Sequence, residues 1–252
     1  MTPRLLLLAG VDPSGGAGLT VDAVTAARHG CQPLPVVTAL TVQNRHAFTA
    51  REAPPAATFA AACAAALADG PVHAVKVGLL GDAAFVAAVA AAVRPLVGTV
   101  PIVVDPVLVA TAAGPAASAE LAAAYRSHLL PLATLLLPNT LELPALGDVA
   151  ASAAVLRKGG HGNGATSADV LVRRGAADVV FARPRLPVGP VRGTGCALAT
   201  AIAALLAHGL DLETACRRAG DWLHGLLARL GSAPASGLPR LLPLLDGPPP
   251  WP

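Results

Sequence analysis

The stretch that decides the fold is residues 191–208, VRGTGCALATAIAALLAH. Two glycines separated by one threonine lead directly into an alanine- and leucine-rich run, a pattern typical of a loop that becomes a helix. The first amides of such a helix lack intrahelical partners, and the helix dipole adds partial positive charge there. The stretch therefore predicts an anion hole suited to a phosphoryl group or a developing oxyanion, with Cys196 at its rim. The same field is expected to lower the pKa of the Cys196 thiol. The alternative is a glycine-rich cap on a buried helix, with an inert cysteine.

Around this stretch, strand-like apolar runs alternate with helix-like segments. The predicted strands of the first part are residues 5–10, 35–42, 74–78, 102–105 and 134–137. A predicted helix that ends at residue 29 follows the first of these strands. Three further helices are predicted over residues 56–69, 82–94 and 118–130. Three β-prone segments at hairpin spacing come later, at residues 155–157, 169–173 and 178–182. Two predicted helices follow, at residues 196–208 and 212–230. This alternation predicts an α/β fold of three layers, α/β/α, with a central, mostly parallel sheet.

Composition excludes several classes of function. The chain of 252 residues is 54% hydrophobic and 13% charged, with a formal net charge of +3. Its 18 basic residues are scattered and aromatic residues make up 3%, so we expect no nucleic-acid partner. No uninterrupted apolar run is long enough for a membrane span, and the cysteines show neither CxxC nor zinc spacing. We therefore expect a cytoplasmic protein without membrane association. It should form one domain over residues 1–252, with a Pro/Leu-rich tail over about residues 232–252.

Ligands of open α/β sheets bind at the loops that follow the carboxyl ends of the strands. The loop after the first predicted strand, residues 10–18, is rich in glycine and lets the backbone approach a ligand. Asp22 lies one turn into the next helix and can accept hydrogen bonds. Gln43 follows the second strand, and its amide has the donors and the acceptor needed to contact the edge of a heterocycle. Each of these features is also compatible with an ordinary turn and solvated side chains.

The later strands end in residues suited to phosphate and metal. Asn139 and Glu142 lie three residues apart beside a helix start, and oxygen ligands of this kind suit Mg²⁺ held through waters. Lys158 precedes two glycines, which makes it a candidate phosphate contact; the alternative is a solvated lysine at a strand end. Neither the P-loop motif GxxxxGK[ST] nor the dinucleotide motif GxGxxG is present.

Taken together, these motifs resemble the hydroxymethylpyrimidine/phosphomethylpyrimidine kinase family of thiamin biosynthesis, in the ribokinase-like superfamily. They occur in the family's order: Asp12-Pro-Ser-Gly-Gly-Ala-Gly18, Val42-Gln-Asn44, Val75-Lys-Val-Gly78, Asp105-Pro-Val107, Pro138-Asn-x-x-Glu142, Lys158-Gly-Gly-His161 and Gly193-Thr-Gly-Cys196. The resemblance implies a ribokinase-like fold, ATP and Mg²⁺ as cofactors, and a homodimer. It also implies phosphorylation of 4-amino-5-hydroxymethyl-2-methylpyrimidine and then of its monophosphate.

The resemblance further implies a role for each site residue. The pyrimidine would contact Gly10, Asp22, Val42, Gln43, Leu80 and Val107. The nucleotide would contact Asn139, Lys158 and Arg192, and Mg²⁺ would be held by Glu142 and Asp105. Cys196 would be the general base, with Gly193, Thr194 and Gly195 completing the anion hole.

Three departures from the family pattern bear on substrate and nucleotide. Arg192 stands where relatives more often have histidine, and should add positive charge at the anion hole unless it points into solvent. The loop at residues 110–115 lacks the family's usual Lys/Ser-Gly character. The connection at residues 143–157 is short, so we predict thin cover on one face of the sheet near Lys158. Either that surface is mobile, or another element such as the leucine-rich tail from Leu238 onward lies across it.

Two other functions stay open at this point. A pyridoxal kinase of the same superfamily acts on a substrate that also carries a primary hydroxymethyl group on a heteroaromatic ring. A catalytically inactive pyrimidine-binding regulatory protein is the second alternative.

Overall fold

The sheet is centred on strand β1, Arg4–Val11, whose residues 5–9 are all buried. A continuous apolar run of this kind is typical of a parallel strand covered on both faces. The computed structural model describes residues 1–108, 119–149, 153–160, 164–232 and 239–245. In these ranges the further strands are β2 (Gln32–Gln43), β3 (Phe48–Glu52), β4 (Ala74–Val77), β5 (Ile102–Val104), β6 (Leu135–Leu136), β7 (Ala154–Arg157), β8 (Thr166–Val172), β9 (Val179–Pro184), β10 (Val191–Arg192) and β11 (Arg240–Leu241).

Nine of these strands form one sheet in the order β3-β2-β1-β4-β5-β6-β7-β8-β9. The six strands from β2 to β7 in this order run parallel, whereas β3, β8 and β9 pair antiparallel with their neighbours at the two edges. The strand order changes direction at β1, because β2 lies on one side of it and β4 on the other. Such a switch point leaves a crevice at the carboxyl edge of the sheet.

Helices cover both faces, as the alternation of strand and helix predicted. They are α1 (Gly18–Arg28), α2 (Ala56–Ala68), α3 (Ala83–Val93), α4 (Ala119–Ala124), α5 (Leu143–Leu146), α6 (Thr194–Ala207) and α7 (Leu212–Ala228). Alternate residues of β1 point to opposite faces. Leu6 and Leu8 pack with α2, α3 and α4, whereas Leu5 and Leu7 pack with α1, α6 and α7. Within the described ranges, no helix is long and apolar enough to cross a bilayer.

Two elements differ from the sequence prediction. Strand β2 is longer than predicted and turns back into β3, an antiparallel edge strand that the sequence analysis did not identify. Apolar alternation in β3 is weak, since the strand is mostly exposed. The helix predicted at residues 118–130 is α-helical only in α4, continues as a π-helical turn at Tyr125–Leu129, and tightens at Leu130–Leu132, where a proline occurs.

The short connection before Lys158 contains little helix, in line with the thin cover predicted there. In its described part α5 is four residues long, and Gly147 follows with a positive φ of 70°. The described part of the tail, residues 239–245, does not lie over this surface. Leu242 and Leu244 are buried among Val21, Ala197 and Leu226, on the face covered by α1, α6 and α7. For these described residues the idea that the tail covers the thin face is wrong, because Leu242 and Leu244 find an apolar surface on the other side of the sheet.

Candidate active site

A cavity of about 830 Å³ opens at the carboxyl edge of the sheet. The loops after β1, β2, β5, β6 and β7 and the beginning of α6 all contribute to its walls. Its lining includes predicted site residues from each of these elements, namely Gly10, Gln43, Asp105, Val107, Asn139, Glu142, Lys158, Arg192, Gly193, Thr194, Gly195 and Cys196. These twelve predicted site residues thus converge on one place, whereas Asp22, Val42 and Leu80 lie outside the lining.

The N-terminus of α6 is shaped by its glycines. Gly193, the residue before the helix, has a φ of +76°, and a Cβ at this position would lie 2.4 Å from the carbonyl oxygen of Gly16. Only glycine fits there. A Cβ on Gly195 would lie 3.4 Å from both Asp105 Oδ2 and Lys158 Nζ. The free amides of the first helical turn therefore lie beside a lysine and a carboxylate at the cavity wall, an arrangement that suits an anionic group.

Lys158 donates to Asp105 Oδ1 over 2.6 Å, and the two side chains are 14% and 3% exposed. Burial lowers the pKa of Lys158, but the carboxylates of Asp105 and Glu142 raise it by more, so the ammonium stays charged. Burial also raises the pKa of Glu142 to about 7, although Lys158 partly opposes this. This end of the cavity thus holds one cation and two acidic groups, one of which titrates near neutrality.

Asn139 and Glu142 brace the turn between β6 and α5. Asn139 Oδ1 accepts hydrogen bonds from the amides of Leu141 and Glu142. Glu142 accepts from the amides of Asn139 (2.8 Å) and Leu108 (3.3 Å). Asn139 therefore holds the backbone turn, and the carboxylate is aimed at the loop after β5.

The oxygen donors near this turn suit Mg²⁺. The carboxylates of Asp105 and Glu142 interact electrostatically and both line the cavity. Mg²⁺ commonly keeps several waters and needs only one or two protein carboxylates. In the described residues, no group of three or more His, Cys, Asp or Glu side chains forms a ready-made metal cage. The two acidic residues thus fit an ion that is held jointly with a phosphate.

The expectation of a lowered thiol pKa at Cys196 is wrong. Burial raises the pKa of Cys196 to about 11, and the nearby Lys76 ammonium and the hydrogen bond from the Gly18 amide only partly oppose it. The acidic side chains of Asp22 and Asp105 raise it further. The helix N-terminus lies in an apolar, carboxylate-rich setting, so its favourable field does not dominate.

Asp22 does not reach the cavity, contrary to the prediction that it orients the substrate. Its side chain is fully buried, accepting from Lys76 Nζ over 2.6 Å and from Thr200 Oγ1 over 2.8 Å. Both carboxylate oxygens therefore already have donors within the protein. Lys76 reaches the cavity floor, yet none of its side chain is exposed. Lys76 and Thr200 were not among the predicted site residues; a lone lysine inside an apolar strand was the available signal for the first.

The predicted apolar walls are only partly present. Gly10 and Val107 line the cavity. Leu80 is 1% exposed and packs in the core with α2 and α3, and Val42 is 63% exposed and lies outside the lining. Alternation explains Val42: in β2 the side chains of Val42 and Gln43 point to opposite faces, so only one of them can face the cavity. Within the described lining, Leu79 and Phe48 provide apolar surface that the sequence analysis did not identify.

Arg192 lines the cavity and is largely shielded from bulk solvent. Its side chain is 10% exposed and donates to Asp12 Oδ2 over 3.1 Å and to Gln43 Oε1 over 2.6 Å. The structure thus ties Arg192 to Gln43 and Asp12, and its roles as nucleotide contact and as added charge at the anion hole stay predictions. Asp12, which the sequence analysis quoted only as part of a motif, neutralises the guanidinium.

Arg185 is a further residue that sequence reasoning missed. Its guanidinium donates to backbone carbonyls of Gly159, Gly160, Gly164 and Thr166, which surround the segment after Lys158. An arginine in a loop after a strand carries no pattern that would reveal this role. Residues 161–163 of this segment and the loop at residues 110–115 lie outside the described part of the chain.

Comparison with known proteins agrees with this geometry. The sequence model of the family described as "Phosphomethylpyrimidine kinase" matches residues 12–153 and 146–236. The hydroxymethylpyrimidine/phosphomethylpyrimidine kinase of Mycobacterium bovis is 37% identical over 261 aligned positions, covering 95% of each chain. That of Rhizobium meliloti is 35% identical and covers 90% of this chain and 91% of its own.

Solved structures show the same fold. Pyridoxal kinase from Staphylococcus aureus, in complex with ADP, superposes with a TM-score of 0.80 at 23% identity, covering 90% of this chain and 88% of that chain. Phosphomethylpyrimidine kinase from Clostridium difficile superposes with a TM-score of 0.73 at 25% identity, covering 88% and 98%. The three-layer, ribokinase-like α/β fold expected from the sequence is confirmed.

Proposed function

The chain belongs to the phosphomethylpyrimidine kinase family, and we propose that it transfers the γ-phosphoryl group of ATP to 4-amino-5-hydroxymethyl-2-methylpyrimidine and then to the resulting monophosphate. One observation carries this proposal. Two groups line the same cavity. One is the amide of Gln43, which suits the edge of a heterocycle, and the other is the cluster formed by the N-terminus of α6, Lys158 and Asp105. A ring and a phosphate donor can therefore be bound side by side.

Phosphoryl transfer needs little covalent chemistry from a protein and depends on positioning and electrostatic stabilisation. The amides of the first turn of α6 would hold the transferred group. Lys158 would exchange its partner Asp105 for phosphate oxygens that approach from the open side of the ion pair. Asp105 and Glu142 would hold Mg²⁺, which neutralises charge on the phosphates when it is bound.

Cys196 is proposed to accept the proton of the substrate hydroxyl, with its thiolate as the acting form. Because burial raises the pKa of this thiol to about 11, the thiolate is a small fraction at neutral pH. The base hypothesis then predicts that kcat/KM rises about tenfold per pH unit between pH 7 and 9. Cys196→Ala should lower turnover at least about a hundredfold and remove this slope.

Cys196→Ser is the matched control for the base. A serine hydroxyl can still accept the hydrogen bond from the Gly18 amide, but it is far less acidic than a thiol. It should therefore be as inactive as the alanine variant while keeping substrate affinity. A serine variant with near-wild-type turnover and an unchanged pH slope would rule out the base role.

A coupled assay of ADP release tests the overall function. Hydroxymethylpyrimidine and its monophosphate should both be turned over with ATP and Mg²⁺, and pyridoxal should be a poorer substrate. Preferred turnover of pyridoxal would reassign the protein to the pyridoxal kinases. Tight pyrimidine binding without any ADP release would identify an inactive binding protein. Sedimentation equilibrium on the same sample tests the proposed homodimer.

A further inference from the structure

Arg192 begins a chain of hydrogen bonds that runs in one direction through Gln43. The guanidinium donates to Gln43 Oε1 over 2.6 Å, Gln43 Nε2 donates to Thr41 Oγ1 over 2.8 Å, and the Thr41 hydroxyl donates to the carbonyl of Val11 over 2.6 Å. A guanidinium can only donate, so the amide oxygen must face Arg192 and the amide nitrogen must face Thr41. The orientation of the Gln43 amide is therefore fixed from both ends.

Arg192 is itself held in place from several sides. Asp12 accepts from it with Oδ2, while Asp12 Oδ1 accepts from the amide and the hydroxyl of Ser14 at 2.9 and 2.7 Å. Strand β10, which carries Arg192, pairs with β11 of the tail, so that Arg192 lies opposite Leu241. A Cβ on Gly16 would lie 2.8 Å from Leu241 and 3.2 Å from Arg192 Nε, which shows how closely these residues pack.

The fixed amide has limited capacity left for a ligand. Of Gln43, one lone pair on Oε1 and one hydrogen on Nε2 are not used by the protein contacts described above. These groups suit a ring edge on which a hydrogen-bond donor stands next to an acceptor. An amino group beside a ring nitrogen, as in a 4-aminopyrimidine, presents such an edge. Pyridoxal has no amino group beside its ring nitrogen.

We propose that Arg192 is a positioning residue that sets substrate specificity, by locking the Gln43 amide in the orientation that pairs with an aminopyrimidine edge. This inference rests on the proposed function, since it concerns the ring bound at the same site. It differs from a direct phosphate contact, because the guanidinium acts through Gln43. It also gives the tail a role, because β11 holds the strand from which Arg192 projects.

Binding and turnover of two substrates test the proposal. Calorimetric Kd values and kcat/KM are measured for hydroxymethylpyrimidine and pyridoxal in wild type, Arg192→Met, Arg192→Lys and Gln43→Leu. Arg192→Met should weaken pyrimidine binding about tenfold or more, through loss of the amide lock, and change the KM for ATP less than about twofold. Its effect on pyridoxal should be small, so the ratio of the two specificities falls. Arg192→Lys should lie between wild type and Arg192→Met, since one ammonium donor can still reach the amide. Arg94→Met, at an exposed position at the C-terminal end of α3 and outside the cavity lining, is the matched arginine control.

A double variant separates action through Gln43 from direct contact. If Arg192 works through the amide, Arg192→Met should change pyrimidine affinity less than about twofold in a Gln43→Leu background. A full tenfold loss in that background, an unchanged ratio of specificities in Arg192→Met, or a larger effect on ATP than on pyrimidine would each overturn the proposal. Far-ultraviolet circular dichroism and a cooperative thermal transition show that each variant is folded.

The outcomes distinguish the two levels of the argument. If wild type binds the pyrimidine and releases ADP but the ratio does not respond to Arg192, only the specificity inference falls. If wild type neither binds nor phosphorylates the pyrimidine, the proposed function falls and the inference falls with it.

Discussion

Two lysine–aspartate pairs of equal length stand near each other in this protein and have different surroundings. Lys76 meets Asp22 over 2.6 Å with both side chains 0% exposed, and Lys158 meets Asp105 over 2.6 Å with 14% and 3% exposure. The first pair is closed off, because Thr200 supplies the remaining donor to Asp22. The second opens onto the cavity beside the N-terminus of α6.

The difference shows that burial decides whether a lysine–aspartate pair stabilises the fold or can take part in ligand binding. Lys76 borders the cavity floor, but its side chain is not exposed and both Asp22 oxygens already have donors, so this pair holds the packing of β4 against α1 and α6. A pair on the cavity wall can exchange a carboxylate for a ligand anion at little cost, because water and the helix amides are at hand. The same contact distance therefore supports a structural role in one place and a binding role in the other.

The largest effect should come from breaking the sealed pair. Lys76→Met leaves the Asp22 carboxylate buried without its counter-ion, so the free energy of unfolding should fall by about 3–5 kcal/mol. Urea denaturation measures it. The double variant Lys76→Met/Asp22→Leu should recover much of the loss, because it removes the unpaired charge as well. A loss below about 1 kcal/mol in the single variant would show that the pair is not sealed.

Breaking the open pair should affect catalysis instead. Lys158→Met should lower kcat/KM about 10²–10³-fold, in the range for one lost donor to a developing negative charge. The free energy of unfolding should change by only about 1–2 kcal/mol, because Asp105 can be solvated from the cavity. Lys158→Arg keeps the charge and is the control. Full activity of Lys158→Met would remove the residue from the phosphate site.

Glu142 sharpens the comparison through pH. Unfolded, this carboxyl has its ordinary pKa of 4.5, and burial raises it to about 7 in the folded protein. Between these values the folded state holds more protons, so stability falls as pH rises from about 4.5 to 7 and is flat above. The loss should be about 1–3 kcal/mol.

Glu142→Gln carries no such proton and should lack this pH-dependent loss. Urea denaturation of both proteins at pH 5 and pH 8 measures the difference, with the exposed Glu120→Gln as control. Because Lys158 lowers the pKa of Glu142 in the folded protein, Lys158→Met should extend the upper limit of this pH window to higher pH. Parallel pH profiles for wild type and Glu142→Gln would contradict the raised pKa.

The smallest effect should come from an ion pair in open surroundings. Arg173 donates to Glu213 over 3.3 Å, with side chains 34% and 42% exposed. Solvent and salt screen such a pair, so Arg173→Met should cost less than about 1 kcal/mol, and 0.5 M salt should reduce even this. A cost comparable to that of Lys76→Met would break the link between burial and the strength of these pairs.

The sheet could be predicted because its signal is local. Apolar runs such as residues 5–10 and their following helices predict the parallel core, and Gly193 marks the beginning of α6, which starts two residues before the predicted residue 196. The edge strand β3 could not be predicted in the same way, since its exposed side chains carry no apolar alternation. The position of the tail depends on which distant surface is apolar, which no local pattern records.

The sequence predicted which residues line the cavity better than it predicted what each residue does there. Gln43, Lys158 and Cys196 reach the cavity, because their strands and helix all end at one edge of the sheet. Asp22 failed because a partner from another strand, Lys76, neutralises it out of reach of a ligand. The prediction of a lowered thiol pKa at Cys196 was wrong for a related reason. Burial and the neighbouring carboxylates are set by the tertiary fold, and their effect on the pKa outweighs that of the helix field.

The sealed triad of Asp22, Lys76 and Thr200 has a consequence for how the chain folds. In the sequence, Lys76 lies 54 residues after Asp22 and Thr200 lies 178 residues after it. The carboxylate thus finds both donors only after α6 has docked onto strands made much earlier. An N-terminal fragment that stops before α6 would have to bury a charged pair with one donor missing. Folding of the sheet should therefore be completed late and cooperatively, by contacts between the two ends of the chain.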